Sequence, residues 1–391
     1  MEINRIVNAK VVTPYRVIEN GEVRFENGVI TYVGATENRP EPAFDAGGKY
    51  IAPGFIDIHT HGAGNCDFMD STVDAFLGAA ATHAKYGTAT ILPTSTSSSP
   101  EELVTFFYAY NEAFPICPTD LPGVHLEGPY FADGQRGAQD PKYITPPRPD
   151  EYRAAFAECP RILRWSSAPE LPGTEEFARE LVSHGILPSI AHTDAVDSEV
   201  MQAFEWGYTH VTHLYSGMSG LVRRNAYRYP GVIEASYMID EMTVEIIADG
   251  CHLPANLLKL IYRAKGADKT ALVTDSMRGA GMPEGSTPYL GSLTAGQKVI
   301  IEDGVAKLMD RTAFAGSVAT ADRLVRNMIR LAGAPLTDAV RMMTSTPARI
   351  MGWKNKGVLA SGRDADFAIF DEDIHVSMTI SRGKVIFDEN K

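Results

Sequence analysis

Between residues 55 and 275 short strand-like runs alternate with longer helix-like ones, eight strands in all, and few folds accommodate that rhythm. The strand-like runs lie near 55–59, 88–93, 123–127, 162–167, 187–192, 209–214, 243–248 and 271–275. Helical patterns fall between them at Thr72–Tyr86, Glu101–Phe114, Asp150–Glu158, Thr174–His184, Ser198–Trp206 and Pro254–Lys265, and later at Val318–Leu331 and Leu336–Thr344. Strand and crossover helix in alternation set neighbouring strands parallel, and eight strands predict a closed (β/α)8 TIM-like barrel more than an open sheet. Residues 215–231 read as a long loop after the sixth strand. No sequence repeat of the solenoid kind is present.

The two chain ends have a different texture. Residues 3–34 carry short alternating runs punctuated by Glu19-Asn-Gly21 and Glu26-Asn-Gly28, and Asn-Gly between alternating segments signals a hairpin. Asp366-Phe-Ala-Ile-Phe370, Val376-Ser-Met-Thr-Ile380 and Arg382-Gly-Lys-Val-Ile-Phe387 look similar. The expectation is an α/β chain in two parts. Residues 1–50 and 346–391 together make a small β-sandwich domain, and 51–345 make the barrel.

Barrel enzymes place their chemistry where strands end and lead into helices. Pro53-Gly-Phe-Ile-Asp-Ile-His-Thr-His-Gly62 ends the first strand with two histidines on one face, because side chains alternate along a strand. Such a pair can be structural or can grip an ion, since neutral imidazole is a common ligand for zinc and iron. Other strand ends tip the balance towards a metal. They read His125-Leu-Glu-Gly-Pro129, Ala191-His-Thr-Asp194, Thr212-His-Leu-Tyr215, Ala248-Asp-Gly-Cys-His252 and Val273-Thr-Asp-Ser276. Of ten histidines, His59, His61, His125, His192, His213 and His252 fall at or just past strand ends. His83, His184, His210 and His375 do not, and read as structural or surface residues.

Charge narrows the partners. A net charge of −13 argues against nucleic acid or an anionic membrane but leaves room for a small anionic substrate met by a few arginines. Cys66, Cys117, Cys159 and Cys251 form no CxxC pair, which suits a reducing cytoplasm. No run is apolar enough to span a bilayer and the N-terminus lacks a signal-like pattern, so a soluble cytoplasmic protein is expected.

The ordered set of Pro-Gly-Phe-Ile-Asp-Ile-His-Thr-His, HLEGPY, single histidines on the fifth and sixth strands, THLYSGM, IADGCH, VTDSM and Ala315-Gly-Ser317 resembles the N-acetylglucosamine-6-phosphate deacetylase family of the amidohydrolase superfamily. The resemblance implies a divalent metal, zinc or iron, with Glu127, His192 and His213 as the common ligands. His59 and His61 match a second metal position that some members lack, so one or two ions are implied, with Glu127 as bridge. Asp275 matches the catalytic carboxylate and His252 the histidine at the substrate carbonyl; His125 is not a ligand in the family. Amide hydrolysis fits these roles, because a divalent metal acidifies water and polarises the carbonyl while Asp275 carries the proton.

For the substrate, Gly137 and Ala138 after Arg136 resemble a sugar-contacting loop. Gln139, Ser216 and Gly217 stand at sugar- or phosphate-reading positions. Arg223, Arg224 and Arg228 offer positive charge, and Arg228 resembles an arginine that reaches the phosphate from the neighbouring subunit of a homodimer. Three features depart from the family: Gln139 replaces a histidine, Ser216-Gly217 replaces Asn-Ala, and the loop between Met218 and Arg228 is longer. All three fall where the sugar or phosphate would be read, so N-acetylgalactosamine 6-phosphate or another N-acyl amino sugar remains open. The competing readings are a different amide hydrolase on the same barrel and a barrel that has lost catalysis. Glu127 with Arg228 weighs against the first, and the full set Glu127, His192, His213 and Asp275 against the second.

Overall fold

The computed structural model describes residues 3–294 and 296–391, with Arg224 described in its backbone alone. Its central element is a parallel eight-stranded sheet of Phe55–Thr60, Thr88–Ser95, Val124–Glu127, Ile162–Ser167, Leu187–Ile190, His210–Val211, Thr243–Ile246 and Thr270–Leu272, each paired with the next in sequence order. The first and last strands meet through Asp275 N–H donating to His59 O and His61 N–H to Ser276 O, both at 2.9 Å. Below them Thr274 Oγ1 donates to Asp57 Oδ2 at 2.5 Å. The wall is therefore a closed (β/α)8 TIM-like barrel, as expected, and the seam between first and last strands lies beside the histidine pair.

Local sequence explains why the crossovers are helical and where they begin. Ser99-Pro100-Glu-Glu102 forms a reciprocal capping box ahead of the helix Pro100–Ala113, and Thr72 caps Val73–Ala84. The apolar stripes of these helices bury Phe76, Phe106, Phe107 and Tyr110 with the strand residues Ile91, Leu126 and Trp165. That burial is the main stabilising term and holds the strand ends in fixed relation.

The ends of the chain join in a second sheet, ordered Lys384–Asp388, Val376–Ser381, Phe367–Phe370, Tyr50–Pro53, Arg5–Val12, Val17–Glu26 and Val29–Ala35. This β-rich part is tied to the barrel by Lys356, whose ammonium lies 2.8 Å from both Asp120 and Asp366.

Several local expectations are corrected. Asn27-Gly28 makes the expected turn, with φ of 51° and 77°. Asn20-Gly21 does not: the strand Val17–Glu26 runs through it with an irregular register against Ala9 and Val11, and the reversal lies earlier, where Thr13 N–H donates to Arg16 O. The two small residues relieve a bulge instead of making a turn. The loop after the sixth strand carries a hairpin, Val222–Arg224 against Tyr227–Tyr229, followed by the helix Val232–Met238. A three-stranded antiparallel sheet, Tyr289–Leu290, Gln297–Glu302 and Val305–Leu308, follows the eighth strand and was not anticipated. No helix among the described residues is long and apolar enough to cross a membrane.

Candidate metal centre and active site

Two ligand groups converge at the ends of the barrel strands: His59, His61 and Asp275, and Glu127, His192 and His213. Glu127, the last residue of the third strand, stands between them. Its Oε1 is 3.0 Å from His213 Nε2 and 3.4 Å from His192 Nε2 and His59 Nε2, while its Oε2 is 3.4 Å from His61 Nε2. Asp275 Oδ1 lies 3.3 Å from His59 Nε2 and 3.2 Å from His61 Nε2. Three of these residues hold unusual backbone, His192, His213 and Asp275 having φ of 46°, 29° and 44°. Left-handed backbone costs a non-glycine residue about 1–3 kcal/mol, so the fold sustains strain where strand ends turn these side chains inward.

The donor set fits a divalent metal. Tetrahedral ligands about 2.0–2.1 Å from an ion lie roughly 3.3–3.4 Å apart, close to the separations around Glu127. His59 Nε2, which faces Glu127 and Asp275, is buried without a hydrogen-bond partner. His192 Nε2 faces His213 Nε2 at 3.2 Å, a contact that a proton or a cation between the two nitrogens satisfies. A mixed nitrogen and oxygen set of this kind suits zinc, iron or manganese.

The field of the site also calls for positive charge. Burial works against a charged His59, yet Asp275, Glu245 and Glu127 overcome it and hold its pKa well above the usual value. Burial opposes His61 too, but its bonds to Asp275 and Glu127 push it up to about 9. Burial likewise opposes ionisation of Glu127, but the His59 charge and the bonds from His192 and His213 hold its carboxyl well below the ordinary range. A cation placed among the same carboxylates would be held for the same reason.

The cavity over these residues has a volume of about 1140 Å³ and is lined by His61, Glu127, Gly137, Ala138, Gln139, His192, His213, Ser216, Gly217, His252 and Asp275 among others. The unanticipated three-stranded sheet supplies part of its rim through Leu290, Gln297 and Leu308. Gln139 lies against the ligand set itself: its Nε2 donates to Glu127 Oε2 at 2.8 Å, and its Oε1 accepts from the Ser97 N–H at 2.8 Å. Gly217, at φ 56°, lets the chain pass close to the ligand set, since a Cβ there would sit 2.7 Å from His192 Nδ1 and would require that ring to shift. That nitrogen instead bonds Gln135 O at 2.8 Å. His252 is oriented by Asp249, whose Oδ2 lies 2.7 Å from Nδ1.

Two strand-end and loop residues lie outside the ligand set. His125 is fully buried and bonded at both nitrogens, to Thr94 Oγ1 and Ser166 Oγ, which leaves no nitrogen for an ion. Arg228 is exposed on the hairpin, its guanidinium donating to Ala226 O, and does not line the cavity of its own chain. The side chain of Arg224 lies outside the described residues. Sequence reasoning missed Asp249, Arg164 and Glu245. The last two are opposite charges inside otherwise apolar or small-residue strands, and that oddity was the available signal.

Comparison with known proteins agrees with this geometry. The amidohydrolase family model matches residues 50–386. An N-acetylglucosamine-6-phosphate deacetylase of Lysinibacillus sphaericus is 32% identical, covering 88% of each chain. An N-acetylgalactosamine-6-phosphate deacetylase of Escherichia coli O157:H7 is 29% identical, covering 96% of this chain and 97% of its own. Among solved structures, a mutant N-acetyl-D-glucosamine-6-phosphate deacetylase of Mycobacterium smegmatis, in complex with N-acetyl-D-glucosamine-6-phosphate, superposes with a TM-score of 0.91 at 27% identity over 99% of this chain and all of its own. The chain belongs to the N-acetylglucosamine-6-phosphate deacetylase family of the amidohydrolase superfamily.

Proposed function

We propose that this protein is a metal-dependent deacetylase that hydrolyses the N-acetyl group of an amino-sugar phosphate, N-acetylglucosamine 6-phosphate in the first instance, to the free amine and acetate. The observation that carries the reading is the meeting of the two ligand groups at Glu127, with Asp275 beside them, on the floor of one cavity. Glu127, His192 and His213 would hold one divalent ion, zinc or iron, and His59 and His61 a second that shares Glu127. Bound there, a divalent ion supplies Lewis acidity, polarising the acetamide carbonyl and acidifying the attacking water. Asp275 takes the proton from that water and delivers it to the departing amine nitrogen. His252, steadied by Asp249, donates to the carbonyl oxygen as charge develops there.

Gly137, Ala138, Gln139, Ser216 and Gly217 read the sugar. Arg228 reads the phosphate from the partner subunit of a homodimer, a placement supported by its exposure on the hairpin and its absence from its own cavity. Its planar guanidinium suits a phosphate. In this reading residues 1–50 with 346–391 form one domain and 51–345 the other. Four free thiols and a phosphorylated substrate suit the cytoplasm.

A second substrate, N-acetylgalactosamine 6-phosphate, is suggested by the E. coli O157:H7 relative, and the departures at Gln139, Ser216 and Gly217, which all line the cavity, leave room for it. The test is acetate release from a panel of phosphorylated and unphosphorylated N-acetylhexosamines, with metal analysis of the same sample. A phosphorylated sugar should lead, and Arg228→Ala should raise its KM by about 10–100-fold, the worth of one charge-assisted bond. Unphosphorylated sugars outpacing every phosphorylated one would remove the phosphate role of Arg228.

A further inference from the structure

Beneath the two ligand groups lies a buried ion pair outside the ligand set. Arg164, on the fourth strand, and Glu245, on the seventh, are both fully buried, and Arg164 Nη1 donates to Glu245 Oε2 at 2.5 Å. The guanidinium also donates to Ile58 O at 3.2 Å, Ser189 Oγ at 3.0 Å and Thr212 Oγ1 at 2.8 Å. Four acceptors from four different segments of the barrel wall thus fix it, and it in turn fixes the carboxylate. His210 Nε2 lies 3.2 Å from the same Oε2. The other oxygen, Oε1, faces the site: it is 2.6 Å from His59 Nδ1 and accepts from the His213 backbone N–H at 3.2 Å.

We infer that Glu245, clamped by Arg164, is the positioning residue shared by both ligand groups, and that it decides how firmly an ion is held at His59 and His61. The reasoning is geometric. An ionised carboxylate only accepts hydrogen bonds, so a contact of 2.6 Å places the proton of His59 on Nδ1. In the neutral ring that a metal would require, Nε2, the nitrogen aimed at Glu127 and Asp275, is then the one with a free lone pair. A carboxylate behind a ligating histidine fixes ring and tautomer and raises ligand basicity. His213 is touched only at its backbone, where the strand ends, so its imidazole depends on Glu245 far less than that of His59. One carboxylate therefore supports two ligand groups unequally.

The inference rests on the metal-dependent reading above, and the test separates the two. Bound metal per subunit is measured by plasma mass spectrometry after equilibrium dialysis against buffered zinc, for the wild type, His59→Asn and Glu245→Gln. The wild type should hold two ions. Glu245→Gln should resemble His59→Asn in holding one, with affinity for the other reduced about 10–100-fold, the usual consequence of losing a carboxylate behind a metal ligand. Wild-type stoichiometry and affinity in folded Glu245→Gln would overturn the inference. So would a wild type that binds no more zinc than His59→Asn, while leaving the Glu127, His192 and His213 centre and amide hydrolysis standing. A wild type without metal or acetate release would overturn the functional reading itself. Because Glu245→Gln strands a buried guanidinium, Glu245→Gln with Arg164→Met is prepared alongside it. One ion in this double variant supports the role of Glu245; a return to two ions assigns the loss to the unpaired Arg164 charge and overturns it.

Discussion

Replacing Asp275 by asparagine separates proton transfer from metal binding. The exchange preserves side-chain volume and leaves an amide oxygen where Oδ1 stands, 3.3 Å from His59 Nε2 and 3.2 Å from His61 Nε2. It removes the negative charge and the basicity. Glu127, His192 and His213 keep the separations that suit one ion. A positioned general acid–base group contributes about 10²–10⁴-fold, or ~2.7–5.5 kcal/mol of barrier. In Asp275→Asn, kcat for acetate release should fall by that factor. KM should change little, because the lost interaction belongs to the transition state. Metal content of the same preparation should remain at one ion or more per subunit. Wild-type kcat in the metal-replete variant would refute the assignment. Loss of the ion at Glu127, His192 and His213 together with kcat would refute it as well, because the defect would then be traceable to the metal.

Other expectations follow from particular contacts. His252→Ala should lower kcat about 10²–10³-fold, the effect of removing one well-placed donor. Asp249→Asn, which weakens the 2.7 Å contact behind His252, should lower it in the same direction by less, and both are read by acetate release. Lys356→Met leaves Asp120 and Asp366 facing one another without their shared cation. Stranding buried charge costs about 3–5 kcal/mol. Spread over a chain of this length, that lowers the melting temperature by roughly 4–6 °C, and a shift under a degree by calorimetry would show the pair to be inconsequential. Glu22 gives a pH dependence with a definite sign. Burial opposes its ionisation, but the bond from Arg5 and the Glu37 N–H outweigh it and lower the pKa below 4.5. Its stabilisation is fully present above that value and is lost as pH falls through the folded one. The stability gap between wild type and Glu22→Gln should narrow as denaturant melts are taken from pH 6 to about pH 3.

Much of this fold was legible because barrel chemistry concentrates in short contiguous motifs. Each ligand-type residue lies at the end of a strand or within three residues past it, so local reading of HTH, HLE or THL also gave its place in space. What stayed hidden depends on distant partners. Glu245 and Arg164 are 81 residues apart, and a lone charge in a strand reads locally as an exposed edge, not half of a buried pair. The three-stranded sheet is a different case, since Asp303-Gly304 joins its last two strands with φ of 56° and 71°, and the dipeptide was a hairpin signal in plain view. Asn20 shows the converse: its φ of 45° serves a bulge as readily as a turn, and only pairing with the strand that carries Ala9 and Val11 decides.

Gln139 sharpens the division between reaction and substrate. By sequence it is a substitution in a sugar-reading loop. In the structure its amide bridges the Ser97 backbone and Glu127 Oε2, so one residue belongs both to the cavity lining and to the support of a ligand carboxylate. A histidine there could not reproduce both bonds in the same way, because its two nitrogens diverge from the ring whereas the amide presents a donor and an acceptor from one terminal carbon. Under the proposed function, the exchange of histidine for glutamine alters both what the sugar meets and how Glu127 is held. Substrate preference and metal support are then coupled at this position, a coupling carried by the fold and not by the strand-end motifs from which the reaction class was read.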